Sequence, residues 1–275
     1  MKPNYLVIGA QKCATSSLCD LLGRHPDIFM TKPKELYFFS HDHIWRKGWN
    51  WYEQYFQAAE GMAAAGEGSA SYSMQATHPD AAPRIAEHLP DAKLFYIVRN
   101  PLDRILSNWI HLRSRGGRER LPFNDAVRTN PVYLDTSSYR RQIDVYRRWW
   151  PDDRIMVLFF EDFTADQPGT MRRCFEFLGV DPDREALPES LVKNASTGSR
   201  EDTPILKALR RIPNFSTIRK RVPEPVRKPF RTMLKKPTEK PRWDEQTRAW
   251  TVERLREDSH AFLERYGKPH DYWGF

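Results

Sequence analysis

The stretch Tyr5-Leu6-Val7-Ile8-Gly9-Ala10-Gln11-Lys12-Cys13-Ala14-Thr15-Ser16-Ser17-Leu18 decides how this 275-residue chain folds. An apolar strand over residues 5–8 runs into a tight turn at Gly9. The turn carries one lysine, Lys12, and ends in three hydroxyls, Thr15, Ser16 and Ser17. A helix then places Leu18, Leu21 and Leu22 on one face. Such a helix start is an anion cradle, because its first backbone N–H groups are unpaired and its dipole is positive there. Taken alone, the stretch also fits an ordinary strand-to-helix turn with a solvated lysine. Spacing separates it from the Walker loop, which needs G-x-x-x-x-G-K-[ST]. Lysine comes only three residues after Gly9, and Ala14 stands where the second glycine belongs.

Around this stretch, composition describes a globular protein of one large domain or two small ones. Hydrophobic residues make up 40% and aromatics 13%, and mean hydropathy is −0.72. No run approaches the ~20 apolar residues of a spanning helix. Because a strand begins almost at once, no signal peptide is expected. Cys13, Cys19 and Cys174 are odd in number and lack metal-ligand spacing, so they read as reduced thiols of a cytoplasmic protein with no metal. Cys13, beside Lys12 at a helix start, could carry an acidified thiol, although its small size is reason enough for its place. Net charge is +8 and sits in one segment. Between Arg200 and Arg242, 14 Lys/Arg face four Asp/Glu, a net +10, which leaves the remainder near neutral.

Strands and helices alternate, which predicts a parallel sheet covered on both faces. Residues 81–89, 143–150, 170–178 and 243–266 read as helices, and 94–98 and 154–160 as strands. After 94–98 come Arg99-Asn100-Pro101. Asn100 can cap and Pro101 can occupy the first helical position. The helix then buries Leu102, Ile105, Leu106, Trp109 and Ile110, while Arg104, Ser107 and His111 share another face. The aromatic-rich residues 34–56 read as core and lid packing rather than ligand stacking. Seven prolines cut residues 204–242 into short pieces, and the segment is too long for a plain connection. It reads as a basic flap or insertion within a single domain over 1–275.

In order along the chain, five segments resemble sulfotransferases that use 3′-phosphoadenosine-5′-phosphosulfate (PAPS), especially heparan-sulfate-type and related bacterial members. The first is the early-lysine loop, similar to their K-x-x-T core. Lys34-Glu35-Leu36-Tyr37-Phe38-Phe39 resembles K-E-P-H-F-F, and Glu67-Gly68-Ser69-Ala70-Ser71-Tyr72 resembles E-K-S-P-x-Y. Arg99 to Ser107 matches R-N-P-x-x-R-x-x-S. Residues 139–163 and the end around Leu263, Gly267 and Trp273 are similar too, so only 204–242 falls outside.

The resemblance implies an α/β fold, a P-loop-like parallel sheet flanked by helices on both faces, and a sulfotransferase that uses PAPS without a metal. Lys12 would serve the 5′-phosphosulfate near its bridging oxygen, within a loop of Cys13, Ala14, Thr15, Ser16 and Ser17. Arg99 and Ser107 would hold the 3′-phosphate, and Ser199 and Arg200 would close over the nucleotide. Glu35 would be the base that takes the acceptor's proton, kept ionised by Lys32 and Lys34; His41, His43 and His111 are alternatives. Departures are Gly68 where a lysine stands and Leu36-Tyr37 for Pro-His, which weaken a heparan-type acceptor and leave the donor site intact.

The acceptor would offer a hydroxyl or amine on a carbohydrate, lipid or small metabolite. Two other readings stay open: a phosphotransferase with Asp162 organising Mg²⁺, although local capping is the simpler role for that residue, or a non-enzymatic protein using the basic segment on nucleic acid or membrane. Nucleic acid is not expected, because Phe215 and Phe230 are the segment's only aromatics. Leu206, Leu209, Ile212, Phe215 and Ile218 leave peripheral membrane contact open. Oligomeric state is open.

Overall fold

Tyr5, Leu6, Val7 and Ile8 are all fully buried, and an apolar run with no exposed face belongs at the centre of a parallel sheet. The computed structural model describes residues 2–114, 118–184, 200–202, 235–237 and 240–275. Strand β1 (Tyr5–Gly9) lies between β3 (Ala64–Gly68) and β4 (Lys93–Val98), with β2 (Ile28–Met30) and β5 (Ile155–Phe159) outside them. The order β2-β3-β1-β4-β5 is parallel throughout.

Strand β3 reads Ala-Ala-Gly-Glu-Gly, with almost no strand propensity of its own. Tertiary packing makes it a strand. The Tyr5 ring crosses Gly66 so closely that a Cβ there would lie 2.6 Å from it, and its hydroxyl donates to the Phe29 carbonyl of β2 at 3.0 Å. One side chain therefore spans three strands.

Helix α1 (Thr15–Leu22) follows β1, and α2 (Asp42–Trp45), α3 (Trp49–Glu53) and α4 (Ala81–His88) lie before β4. Helix α5 (Pro101–Ser114) leaves β4, and α6 (Phe123–Thr129), α7 (Val132–Asp135) and α8 (Tyr139–Tyr146) precede β5. Helices α9 (Phe160–Ala165) and α10 (Gln167–Leu178) follow, and α11 (Glu245–Arg265) is last. Helix α1 packs on α10, while α11 packs along α5 to α8.

Leu102, Ile105, Trp109 and Ile110 are buried as their spacing requires, each aliphatic one contributing about 1.5–3 kcal/mol over exposure, whereas Leu106 of the expected stripe is only partly buried. With Phe123, Val127, Tyr133 and Leu255, Ile105, Trp109 and Ile110 build a second apolar cluster beside the main core. Phe38, Phe39, Tyr52 and Phe56 are buried, and Phe38 stacks on Tyr52 at 4.5 Å. That part of the aromatic segment is core.

Several boundaries differ from expectation. The helix set at 143–150 begins at Tyr139 and ends at Tyr146, and the one set at 170–178 begins at Gln167, where Asp166 accepts from Gly169 N. The strand set at 154–160 ends at Phe159, so Phe160 to Ala165 is helical. Asp162 does not cap a helix: it accepts from Lys268 Nζ (3.0 Å) and Tyr272 OH (2.8 Å), tying down the carboxy-terminal tail. Most of 204–242 lies outside the described residues. Its neighbour β6 (Arg200–Asp202) pairs antiparallel with β7 (Lys235–Pro237).

Candidate active site

Open α/β sheets take ligands where the chain reverses direction across the sheet, outside the carboxyl ends of the strands. Here that point is between β1, whose connection runs toward β2, and β4, whose connection runs toward β5. The early-lysine loop leaves β1 and the arginine-led helix leaves β4. Ala10 N donates to Ile97 O at 2.7 Å, so the loop starts against its neighbour.

Helix α1 has no side-chain cap and no acid in its first turn, which leaves its positive end to an outside anion. Cys13 is fully buried, and burial pushes its thiol up to about 11. It is a small buried wall piece, and burial works against the acidified thiol considered from sequence. Thr15 and Ser17 are buried as well, and the hydroxyls of Thr15 and Ser16 accept from Lys34.

Among the described residues, four non-glycines have left-handed φ: Lys12 (71°), Ala14 (65°), Glu35 (64°) and Tyr37 (58°). Each costs about 1–2 kcal/mol, so surrounding contacts must impose the conformation. For the second pair the contacts come from β3 and its loop: Glu35 N donates to Gly68 O (3.0 Å) and Tyr37 N to Ser69 Oγ (3.1 Å). Ser69 Oγ in turn donates to Glu67 Oε2 (2.8 Å), and Tyr72 OH donates to Glu67 Oε1. Burial pushes Glu67 up to about 7 against the pull of these two donors.

Glu35 is partly exposed and is not at a helix start. Its Oε2 accepts from Ala70 N at 3.2 Å, and its Oε1 from Lys34 Nζ at 3.2 Å. Lys34 Nζ also donates to Thr15 Oγ1 (2.9 Å) and Ser16 Oγ (3.3 Å). One ammonium therefore joins the loop hydroxyls to the carboxylate. Sequence reasoning gave Lys34 only a neighbour's role; its partner Lys32 is exposed.

On the β4 side, Asn100 Oδ1 accepts from Leu102 N (3.0 Å), the expected cap, while Nδ2 donates to Trp273 O (2.9 Å). Asn100 N donates to Glu161 Oε1 (2.8 Å). These bonds aim Arg99, which pairs with Asp103 (3.3 Å) and lies over the Phe160 ring (4.8 Å). Arg99 Nε is buried and makes no hydrogen bond among the described residues. Ser107 is buried on the same helix. Arg104, fully buried, instead braces α5 by donating to Ser137 Oγ (2.6 Å) and Tyr133 O (2.7 Å).

Two contacts bolt loop and helix together. Tyr139 OH donates to Arg99 O (2.7 Å) and lies 3.7 Å from Cys13 Sγ. Lys12 Nζ lies 3.4 Å from His111 Nδ1. Of the alternative bases, His111 thus meets the loop. His41 stacks on His78 at 4.7 Å, 5.8 Å from His43, and burial followed by those imidazoles holds His41 below its ordinary value. Ser199 lies outside the described residues. Arg200 opens β6, which packs against α5.

The family profile described as "Sulfotransferase domain" matches residues 2–224. The bifunctional heparan sulfate N-deacetylase/N-sulfotransferase 3 of Mus musculus is 28% identical over 201 residues, 66% of this chain and 22% of that protein. The heparan sulfate glucosamine 3-O-sulfotransferase 6 of Homo sapiens is 27% identical over 187 residues, 65% of this chain and 52% of that one. This chain thus spans about a fifth to a half of the length of these relatives. A solved sulfotransferase from Alicyclobacillus acidocaldarius has the same fold, with a TM-score of 0.65, 24% identity and 99% of both chains covered. A match over more than three quarters of the chain, together with this fold, makes the protein a member of the sulfotransferase family.

Proposed function

We propose that this protein moves a sulfuryl group from PAPS to a hydroxyl or amine of a carbohydrate-like acceptor. One observation carries the reading: the Lys12 loop and the Arg99–Ser107 helix leave adjacent strands and are bolted together by Tyr139 and by the Lys12–His111 contact. A donor with phosphates at both ends of its ribose needs two anion sites a nucleotide's length apart. Arg99 Nε, buried without a partner among the described residues, is a donor waiting for an acceptor.

In this reading Lys12, the backbone N–H groups of Thr15 and Ser16 and their hydroxyls receive the 5′-phosphate. Arg99 and Ser107 receive the 3′-phosphate, and Arg200 is assigned to the same nucleotide. The acceptor oxygen or nitrogen attacks sulfur, Glu35 takes its proton, and the bond from sulfur to the bridging oxygen breaks. The electron pair stays on that oxygen, where Lys12 neutralises the charge. The two relatives' names specify sulfation at nitrogen and at oxygen, which supports a sugar amine or hydroxyl as acceptor. A cytoplasmic setting is supported by three free, buried cysteines. Among the described residues no helix is long and apolar enough to cross a membrane.

Thermal unfolding with desulfonated donor (PAP) and with ATP-Mg tests the reading. PAP at ~100 times its dissociation constant adds about 2.7 kcal/mol and raises Tm by several degrees. Stabilisation by ATP-Mg alone would overturn it in favour of phosphoryl transfer.

A further inference from the structure

We propose that Lys34 is a catalytic cation of this site, delivered to the transferring group through a gap that Gly68 leaves open. The inference rests on the PAPS reading above. Its geometry is independent of the resemblance, which gave Lys34 no contact with the donor. Lys34 Nζ is within hydrogen-bond distance of three groups: Thr15 Oγ1 at 2.9 Å, Ser16 Oγ at 3.3 Å and Glu35 Oε1 at 3.2 Å. The two hydroxyls mark where the 5′-phosphate sits, and the carboxylate marks where the acceptor loses its proton. Sulfur must pass between those two places. An ammonium that touches both boundaries is therefore within reach of the sulfuryl oxygens and of the bridging oxygen.

Lys12 and Lys34 approach from opposite flanks of β1. Lys12 Nζ meets His111 of α5, on the β4 side. Lys34 comes from the β3 side, and its stem runs over Gly68. A Cβ at position 68 would lie 3.1 Å from Lys34 Cε and 2.5 Å from Cys19 Sγ. Glycine at 68 therefore leaves the Lys34 stem its present course, and a larger residue would meet Cys19 Sγ before it crowded that stem. The motifs this chain resembles carry lysine at both positions, in K-E-P-H-F-F and in E-K-S-P-x-Y; with glycine at 68 here, residue 34 is the one of the two that still carries a cation. The Lys34 and Glu35 side chains are only 21% and 28% exposed, so the ammonium is part-buried and held between the loop hydroxyls and the carboxylate.

The test compares PAPS and PAP binding to the full chain by calorimetry, for wild type, Lys34→Met and Lys34→Arg. Methionine keeps the stem over Gly68 and removes the charge. The expected result is that Lys34→Met weakens PAPS about 10- to 100-fold and PAP distinctly less, with Lys34→Arg between it and wild type. Gly68→Ala, with Lys34 intact, is expected to reproduce part of the loss by pushing the stem aside. In a further variant, Cys19→Ala with Gly68→Lys on the Lys34→Met background is expected to restore the preference for PAPS. An unchanged PAPS-to-PAP ratio in Lys34→Met, with unchanged melting temperature, would overturn the inference and leave the PAPS reading standing. Wild type that binds neither nucleotide would overturn both.

Discussion

Two arms reach the loop after β1, and they are built in opposite ways. The β4 arm is a regular helix whose start is written locally: Asn100 caps it, Pro101 fills its first position, and an apolar stripe seats it. The β3 arm presents Glu35 and Tyr37 with left-handed φ and no regular structure. Its shape is imposed from a distance by Gly68 O, Ser69 Oγ and, beneath them, the buried Glu67. A rigid helix suits a group that only has to be held. A strained segment clamped by long-range bonds suits groups that must meet a reacting centre within a fraction of an ångström. Changes at Arg99 on the β4 arm should therefore act on affinity for the whole nucleotide, whereas on the β3 arm changes at Glu35 should act on turnover and changes at Lys34 on the sulfuryl end of the donor.

The largest expected effect breaks the β3 arm at its base. Glu35→Ala should lower turnover about 10²–10⁴-fold while PAP affinity stays within a few-fold of wild type. Steady-state rates beside PAP titrations check this, and normal turnover would move the base to His111.

Glu67→Gln is expected next, and it acts on stability. The folded carboxyl titrates near 7, above its unfolded value, because burial disfavours the charge. The folded state therefore holds this proton more tightly. The stability it contributes is fully present below about pH 4.5 and is lost as pH rises through 7. Relative to wild type, Glu67→Gln should gain up to about 3 kcal/mol between pH 4.5 and 8, read from urea melts at the two ends. An unchanged difference would show that Glu67 is not the neutral anchor of the arm.

The smallest effect sharpens the comparison from the other side. Arg99→Ala should weaken PAP about 10- to 100-fold and leave the turnover of saturated enzyme nearly unchanged, whereas Lys12→Ala should lower both. If Arg99→Ala depressed turnover at saturation as much as Glu35→Ala, the division between a holding arm and a reacting arm would fail.

Much of this was legible because it obeys short-range rules. The loop of residues 9–17 follows a strand of four consecutive apolar residues, and α5 announces itself by cap, proline and stripe. Strand β3 was not legible, because Ala-Ala-Gly-Glu-Gly has no pattern until Tyr5 lies across it. Lys34 was visible as a charge beside Glu35, but its reach to Thr15 and Ser16 depends on β3 standing next to β1. The reading of Asp162 failed for the same reason, since Lys268 and Tyr272 are more than a hundred residues away.

Sequence alone determined that residues 5–8 and 94–98 are strands with helix starts close after them, since turn geometry, capping and apolar periodicity act over a few residues. Tertiary structure alone decided that the two helix starts leave adjacent strands and are joined by Tyr139 and by the Lys12–His111 contact, that Arg104 braces α5, and that Lys34 links the loop to Glu35. Those outcomes depend on strand order and on space left by glycines, and both are set by packing between residues distant along the chain.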